Sequence, residues 1–153
     1  MVAVSSSASM NPSALTLGET PISADQRLAA MELVARFEQA VDRRDGAALA
    51  SLFTEDGCIT GLMQARRTDL VDFVHVDRGG PPLAHLTANH VVYSDGPDVM
   101  QIDYVLLVLA LDEGAPRILR INRITDDLVS TQHGWQVRRH DVKPFSADDT
   151  ETR

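Results

Sequence analysis

LAHLTANHVVYS, DGPD and VMQIDYVLLVLALD follow one another over residues 83–112 and read as two long strands joined by a tight turn. β-Branched and apolar residues dominate both outer pieces, and Asp95-Gly96 between them is a strong hairpin signal. The pattern continues outward. Turn dipeptides recur at Glu113-Gly114 and His133-Gly134, 18 and 20 residues further along. They delimit β-rich segments over 83–94, 99–112, 117–131 and 135–145. Four such segments in succession predict an antiparallel meander, and strands of this length twist until the sheet curls. In the second strand Leu106 and Val108 lie on one face and Val105, Leu107 and Leu109 on the other. A strand that is apolar on both faces is covered on both. Helices supply one cover; for the other the pattern favours a second subunit packed sheet to sheet, rather than a helix or the N-terminal arm of the same chain.

Upstream the period changes from two to about 3.6. Ser23 with Gln26 three residues on forms a capping box, and Leu28, Met31, Val34, Ala35, Glu38 and Val41, flanked by Phe37, extend a stripe to about Arg44. Asp45-Gly46 stops that helix. A second, short helix is predicted over 47–53, a brief strand over 57–63 and a third helix over 68–76. Gly79-Gly80-Pro81-Pro82 then forbids regular structure. Three helices ahead of a curled sheet give an α+β cone, with the helices over the concave face and a pocket between the layers. Residues 1–20 read as a disordered arm, 21–145 as the cone domain and 146–153 as a flexible tail.

The composition narrows the function. With 153 residues, 44% of them hydrophobic and 24% charged, the chain can fill one core. Its 22 acidic and 14 basic residues leave a net charge of −8, which repels phosphate backbones, and no basic stripe counters that. Nucleic acid and membranes are therefore not expected partners. No apolar run approaches a membrane span, and the N-terminus lacks the basic and apolar regions of a secretion signal. The single Cys58 fits a reducing cytoplasm and reads as a small buried hydrophobe. No spacing suggests a metal site and no glycine-rich phosphate fingerprint is present, so no cofactor is expected.

Several strings together resemble a known family. They are Ala40-Val41-Asp42-Arg43-Arg44-Asp45 followed by Leu49-Ala50-Ser51-Leu52-Phe53-Thr54-Glu55-Asp56-Gly57, and then His85-Leu86-Thr87-Ala88-Asn89-His90-Val91-Val92. Asp127-Leu128-Val129 and Gly134-Trp135-Gln136-Val137-Arg138-Arg139 close the series. In this order and spacing the chain resembles the SnoaL-like branch of the nuclear transport factor 2-like superfamily, which includes polyketide cyclases, ketosteroid isomerase and scytalone dehydratase. The likeness spans roughly residues 22–145. It implies a cavity between the helices and the concave sheet, in which polar side chains do acid–base work on an apolar organic molecule.

Two residues are candidates for that work. Asp42 neighbours Val41 on the apolar side of the first helix; read alone, it is either a pocket group or an ordinary carboxylate in the last helical turn. The resemblance makes it a pocket aspartate that partners a histidine. His85 opens the first long strand, and imidazole titrates near neutral pH. The resemblance sets it across the cavity from Asp42, which would fix its tautomer.

Period-two alternation puts His85, Thr87, Asn89, Val91 and Tyr93 on one face and turns His90 away. Asn89 either binds a substrate oxygen or marks a β-bulge or a sheet-edge hydrogen bond. Tyr104 and Asn122 are further candidates for holding a carbonyl oxygen, Tyr104 otherwise being a core tyrosine. Asp103 is read as an ion-pair partner of Arg120 or Arg123 rather than a cavity base, and Asp127 with Arg139 as a structural salt bridge. Dehydratase-like members tend to carry a tyrosine where this chain has Val41, and no second pocket histidine is evident on the 99–111 strand, so the scytalone-type residue set is incomplete.

The expected activity is that of a cofactor-independent dehydratase, isomerase or cyclase acting on a small hydrophobic carbonyl or polyketide-like molecule. The alternatives are a non-catalytic binding or dimerisation module of the same fold, or an accessory β-subunit of the kind that supports ring-hydroxylating oxygenases.

Overall fold

Ser23 opens the first helix as its spacing predicts. Its hydroxyl accepts from the Gln26 N–H at 3.1 Å while the Gln26 side chain accepts from the Ser23 N–H at 3.0 Å. The computed structural model describes residues 21–75 and 79–146. The arm over 1–20 and the tail beyond Ser146 lie outside the described residues.

Helix α1 runs Ala24–Asp42. It buries Ala30, Leu33, Val34, Phe37, Glu38 and Ala40, whereas Leu28 and Met31 are exposed, so the buried stripe is rotated from the expected one. Arg44 then enters the left-handed region at φ 55°, and the Asp45 carboxylate accepts from the Ala48 N–H at 2.9 Å to cap α2, Gly46–Ser51. The second helix stops short of the predicted end because Phe53 is taken into strand β1, Phe53–Gly61, where it is fully buried against Phe37 at 5.7 Å between ring centroids. The third helix is likewise shorter than predicted. A 3₁₀ turn over Arg67–Asp69 leads into α3, Leu70–Phe73.

The meander forms as expected: β3 (Leu83–Ser94), β4 (Val99–Ala110), β5 (Arg117–Thr131) and β6 (Gly134–Pro144) pair antiparallel in turn. Two strands from the helical half extend it. β1 lies parallel to β6, and β2 (Ala65–Arg66) folds back on β1, giving a six-stranded sheet in the order β2-β1-β6-β5-β4-β3. Register shifts interrupt four of the pairings, and such bulges raise local twist and bend the strands. The sheet stays open, mostly antiparallel and curved, as an α+β cone requires. Its inner face carries the buried Met100, Ile102, Tyr104, Leu106 and Val108, and α1 packs across it against β3 and β6. Among the described residues no helix is long and apolar enough to cross a membrane.

One bulge changes the assignment of faces. Between Ala88 and Val91 the β3–β4 register slips, and Asn89 adopts φ 57°. His85 and Thr87 pair with Val108 and Leu106 on the inner face, but beyond the slip it is Val92 that pairs with Ile102. His90 therefore turns inward, contrary to the alternation rule, and stacks on Tyr104 at 5.5 Å with its Nε2 3.0 Å from the Thr87 hydroxyl. Val91, expected to share the face of His85, is exposed instead.

Gly46 is required by packing. A Cβ there would sit 2.2 Å from the Val71 carbonyl oxygen and displace α3. Gly46→Ala is expected to cost about 1–3 kcal/mol in chemical denaturation. Gly114→Ala, with open space around it and no unusual backbone angle, should leave stability nearly unchanged.

Candidate active site

The last turn of α1 meets the first residues of β3. Asp42 Oδ1 lies 2.6 Å from His85 Nδ1, and Asp42 Oδ2 accepts the His85 backbone N–H at 3.2 Å. A carboxylate only accepts, so Nδ1 carries a proton, and in the neutral tautomer the lone pair is on Nε2. The same carboxylate grips main chain and ring together, which fixes the imidazole in orientation as well as tautomer.

Both residues line a cavity of about 450 Å³ between α1, the α3 region, the Gly79–Pro82 segment and the sheet. Phe37, Val41, Leu106, Val108 and Val142 make its apolar wall, while Glu38, Asp42, His85, Asn122 and His140 contribute polar groups. A mostly apolar chamber with a few convergent polar groups is the usual form of a small-molecule site.

Beneath the Asp42–His85 pair lies a second polar layer. His140 Nδ1 is 2.7 Å from Asp126 Oδ1, and the Tyr104 hydroxyl donates to Asp126 Oδ2 at 3.0 Å. The His140 ring stacks on Phe37 at 4.4 Å. Burial pulls the His140 imidazole down, but the Asp126 carboxylate, by charge and by hydrogen bond, outweighs it and leaves the group raised overall. The Tyr104 phenol is held far above its ordinary value, first by burial and then by Asp126. Glu38, one helical turn before Asp42, lies next to this layer. Burial pushes its carboxyl up to about 8; His140 opposes the shift, and the Asp126 and Asp42 carboxylates reinforce it. Glu38 Oε1 is buried with no hydrogen-bond partner among the described residues.

Of the five residues singled out by sequence, Asp42 and His85 are brought together and Asn122 is buried in the cavity wall. The other two lie elsewhere. Asn89 is exposed at the β3 bulge, outside the cavity lining, because its left-handed backbone swings it out of the strand. Tyr104 sits behind the lining with its hydroxyl spent on Asp126. Asp103 accepts from the Gln101 amide at 3.0 Å and the Thr125 hydroxyl at 2.9 Å, Asp127 pairs with Arg139 at 2.9 Å, and Cys58 is half-buried. Among the described residues no three His, Cys, Asp or Glu side chains converge to hold a metal ion.

Glu38, Asp126 and His140 were not singled out, yet two of them left a trace. Glu38 falls inside the apolar stripe of α1, and Asp126 lies between Ile124 and Leu128 on the buried parity of β5. An acidic residue in an otherwise buried row is the mark of a partnered or functional group. His140 left none, because only the β5–β6 register sets it opposite Asp126.

Comparison with known proteins agrees with this architecture. The SnoaL-like domain family matches residues 23–141. Among solved structures, a function unknown protein from Mycobacterium tuberculosis is 21% identical with a TM-score of 0.71, over 84% of this chain and 78% of that one. An NTF2-like protein with a cystatin-like fold from Novosphingobium aromaticivorans is 22% identical with a TM-score of 0.71, over 80% and 84%. ActVI-ORFA from Streptomyces coelicolor is 22% identical with a TM-score of 0.68, over 78% and 97%. At these identities the likeness establishes the fold alone. No curated protein matches the sequence.

The buried Glu38 has a consequence for stability. Unfolded, its carboxyl loses its proton near the ordinary value of 4.5; folded, it keeps the proton to about 8. Between these values the unfolded chain binds fewer protons, so stability falls as pH rises, by on the order of 1 kcal/mol per pH unit from this group. Urea denaturation from pH 5 to pH 8 should show wild type losing stability relative to Glu38→Gln across that window. Parallel curves for the two proteins would contradict the assignment.

Proposed function

Because the chain belongs to the SnoaL-like domain family, we propose that it is a cofactor-independent acid–base enzyme, a dehydratase, isomerase or cyclase. Its substrate is a small hydrophobic carbonyl or polyketide-like compound held in the cavity. The observation that carries this reading is the 2.6 Å contact between Asp42 and His85 at the wall of an apolar chamber. His85 Nε2 takes a proton from the carbon next to the carbonyl. Asp42 holds the tautomer and offsets the positive charge that develops on the ring. Asn122 offers an amide N–H to the carbonyl oxygen from the opposite sheet wall. Dehydration, isomerisation and cyclisation all begin with this abstraction, so the same residues serve each. The free thiol of Cys58 fits work in a reducing cytoplasm.

The test needs no natural substrate. 2-Tetralone, an apolar bicyclic ketone, exchanges the protons beside its carbonyl for solvent deuterium, and proton NMR follows the rate. Wild type should accelerate the exchange, and Asp42→Asn and His85→Ala should each lose about 10²–10⁴-fold with little change in melting. Ketone that binds in slow or fast exchange on the spectrum, with no acceleration by wild type, would favour a non-catalytic binding module.

The reading extends to a homodimer joined through the outer face of the sheet. Leu86, Leu107 and Ile121 are register partners across β3, β4 and β5, and Leu86 and Ile121 are exposed in the single chain. A row of this kind is costly to leave in water. Sedimentation equilibrium should give twice the chain mass for wild type and the single chain mass for Leu107→Asp; a wild-type monomer at micromolar concentration would remove the dimer.

A further inference from the structure

We propose that Glu38 donates a proton to the carbonyl oxygen of the bound substrate, making it the acid of the cavity that works with the His85 base. The inference rests on the proposed acid–base reading and deepens it, because it specifies a substrate that presents an uncharged acceptor oxygen at the deep end of the chamber.

Three observations support it. Glu38 lines the cavity and is buried, yet its Oε1 has no partner among the described residues. A buried carboxyl oxygen left without a hydrogen bond is a net cost to folding, which a leucine of similar size would avoid. A ligand oxygen would supply the missing partner. Second, Glu38 and Asp42 are four residues apart on α1 and so share one helix face. The acid and the base pair thus reach the same ligand from one side. Third, the groups around Glu38 suit a proton donor that must recover. Asp42 on the same helix and Asp126 on β5 favour the neutral form, His140 on β6 stabilises the carboxylate left behind, and the Tyr104 phenol of β4 is held neutral nearby.

The step balances. His85 Nε2 forms a bond to the departing proton as the α C–H bond breaks. The electron pair moves through the carbonyl to its oxygen, which takes the proton of Glu38. The products are a neutral enol, an imidazolium on His85 beside Asp42, and a carboxylate on Glu38 near His140. Two donors, Glu38 and Asn122, then meet the oxygen where charge develops, and donors placed in this way typically contribute about 10²–10³-fold each.

The experiment has one arm on wild type and one on variants. Infrared difference spectra of wild type between pH 6 and pH 10 should show a protonated-carboxyl band that disappears with a midpoint near pH 8, shifts on adding 2-tetralone, and is missing in Glu38→Gln. In deuterium exchange of 2-tetralone, the wild-type rate should fall about tenfold per pH unit above that midpoint. Glu38→Ala should lose about 10²–10³-fold at pH 7, and Glu38→Gln should be slowed and lack the alkaline fall. A band that persists in Glu38→Gln, or that ignores the ketone, overturns the proposal, as does an unchanged alkaline fall in that variant. These outcomes are separate from the fate of the base. If Asp42→Asn and His85→Ala exchange as fast as wild type while the band still shifts with ketone, the shuttle fails and the Glu38–oxygen contact stands.

Discussion

The Asp42 carboxylate ties the helical layer to the sheet at the mouth of β3. Residues 42 and 85 are separated by the whole of α2, β1, β2 and α3, yet one side chain engages both the ring and the backbone N–H of His85. At the other side of the helix Phe37 stacks on His140 and packs against Phe53. Between these two attachments α1 stands off the sheet, and the space beneath it is the cavity. An apolar filler would have closed that space for a gain in dispersion energy. Instead the chain ends α1 with a left-handed Arg44 directly after the clamp, so that α2 turns away from the chamber rather than across it.

What the sequence disclosed divides along the range of the interactions concerned. Strand positions and the Ser23 capping box depend on residues a few places apart, and both were legible. β3 and β5 begin and end at the residues the turn signals mark. The pairing of Asp42 with His85 was legible too, through the resemblance to a family rather than through any local rule. The face of His90 was not. Period-two reasoning assumes an unbroken ladder, and the single left-handed residue Asn89 reverses the parity of all that follows. The sequence offered the bulge as one of three readings of Asn89, but nothing in a lone asparagine chooses among them.

The second polar layer was hidden for a different reason. His140 and Asp126 become partners only when β6 is laid on β5 in one register, and the flanking Arg138, Arg139, Asp141 and Lys143 make that stretch of β6 look like a solvated edge. Glu38 was hidden by its own helix. It satisfied the apolar spacing of α1 and was counted as part of the stripe, although a carboxylate in that position is the feature that most needs explaining.

Glu38 and Asp42 also show how one helix can present two carboxyl groups in different surroundings. They are a single turn apart and chemically near-identical, so the difference between them is depth. Asp42 retains contact with water and has an imidazole partner, its side chain 30% exposed. Glu38 is buried with its Oε1 unpartnered among the described residues, and burial raises it to about 8 despite the nearby His140. The proton affinity of a carboxyl is thus set by its surroundings rather than by its residue type. The placement of α1 over the curved sheet creates that gradient, with its Phe37 side pressed onto β6 and its Asp42 end resting at the cavity margin. The long helix is therefore more than a cover: the way it lies on the sheet buries the Glu38 carboxyl and raises it.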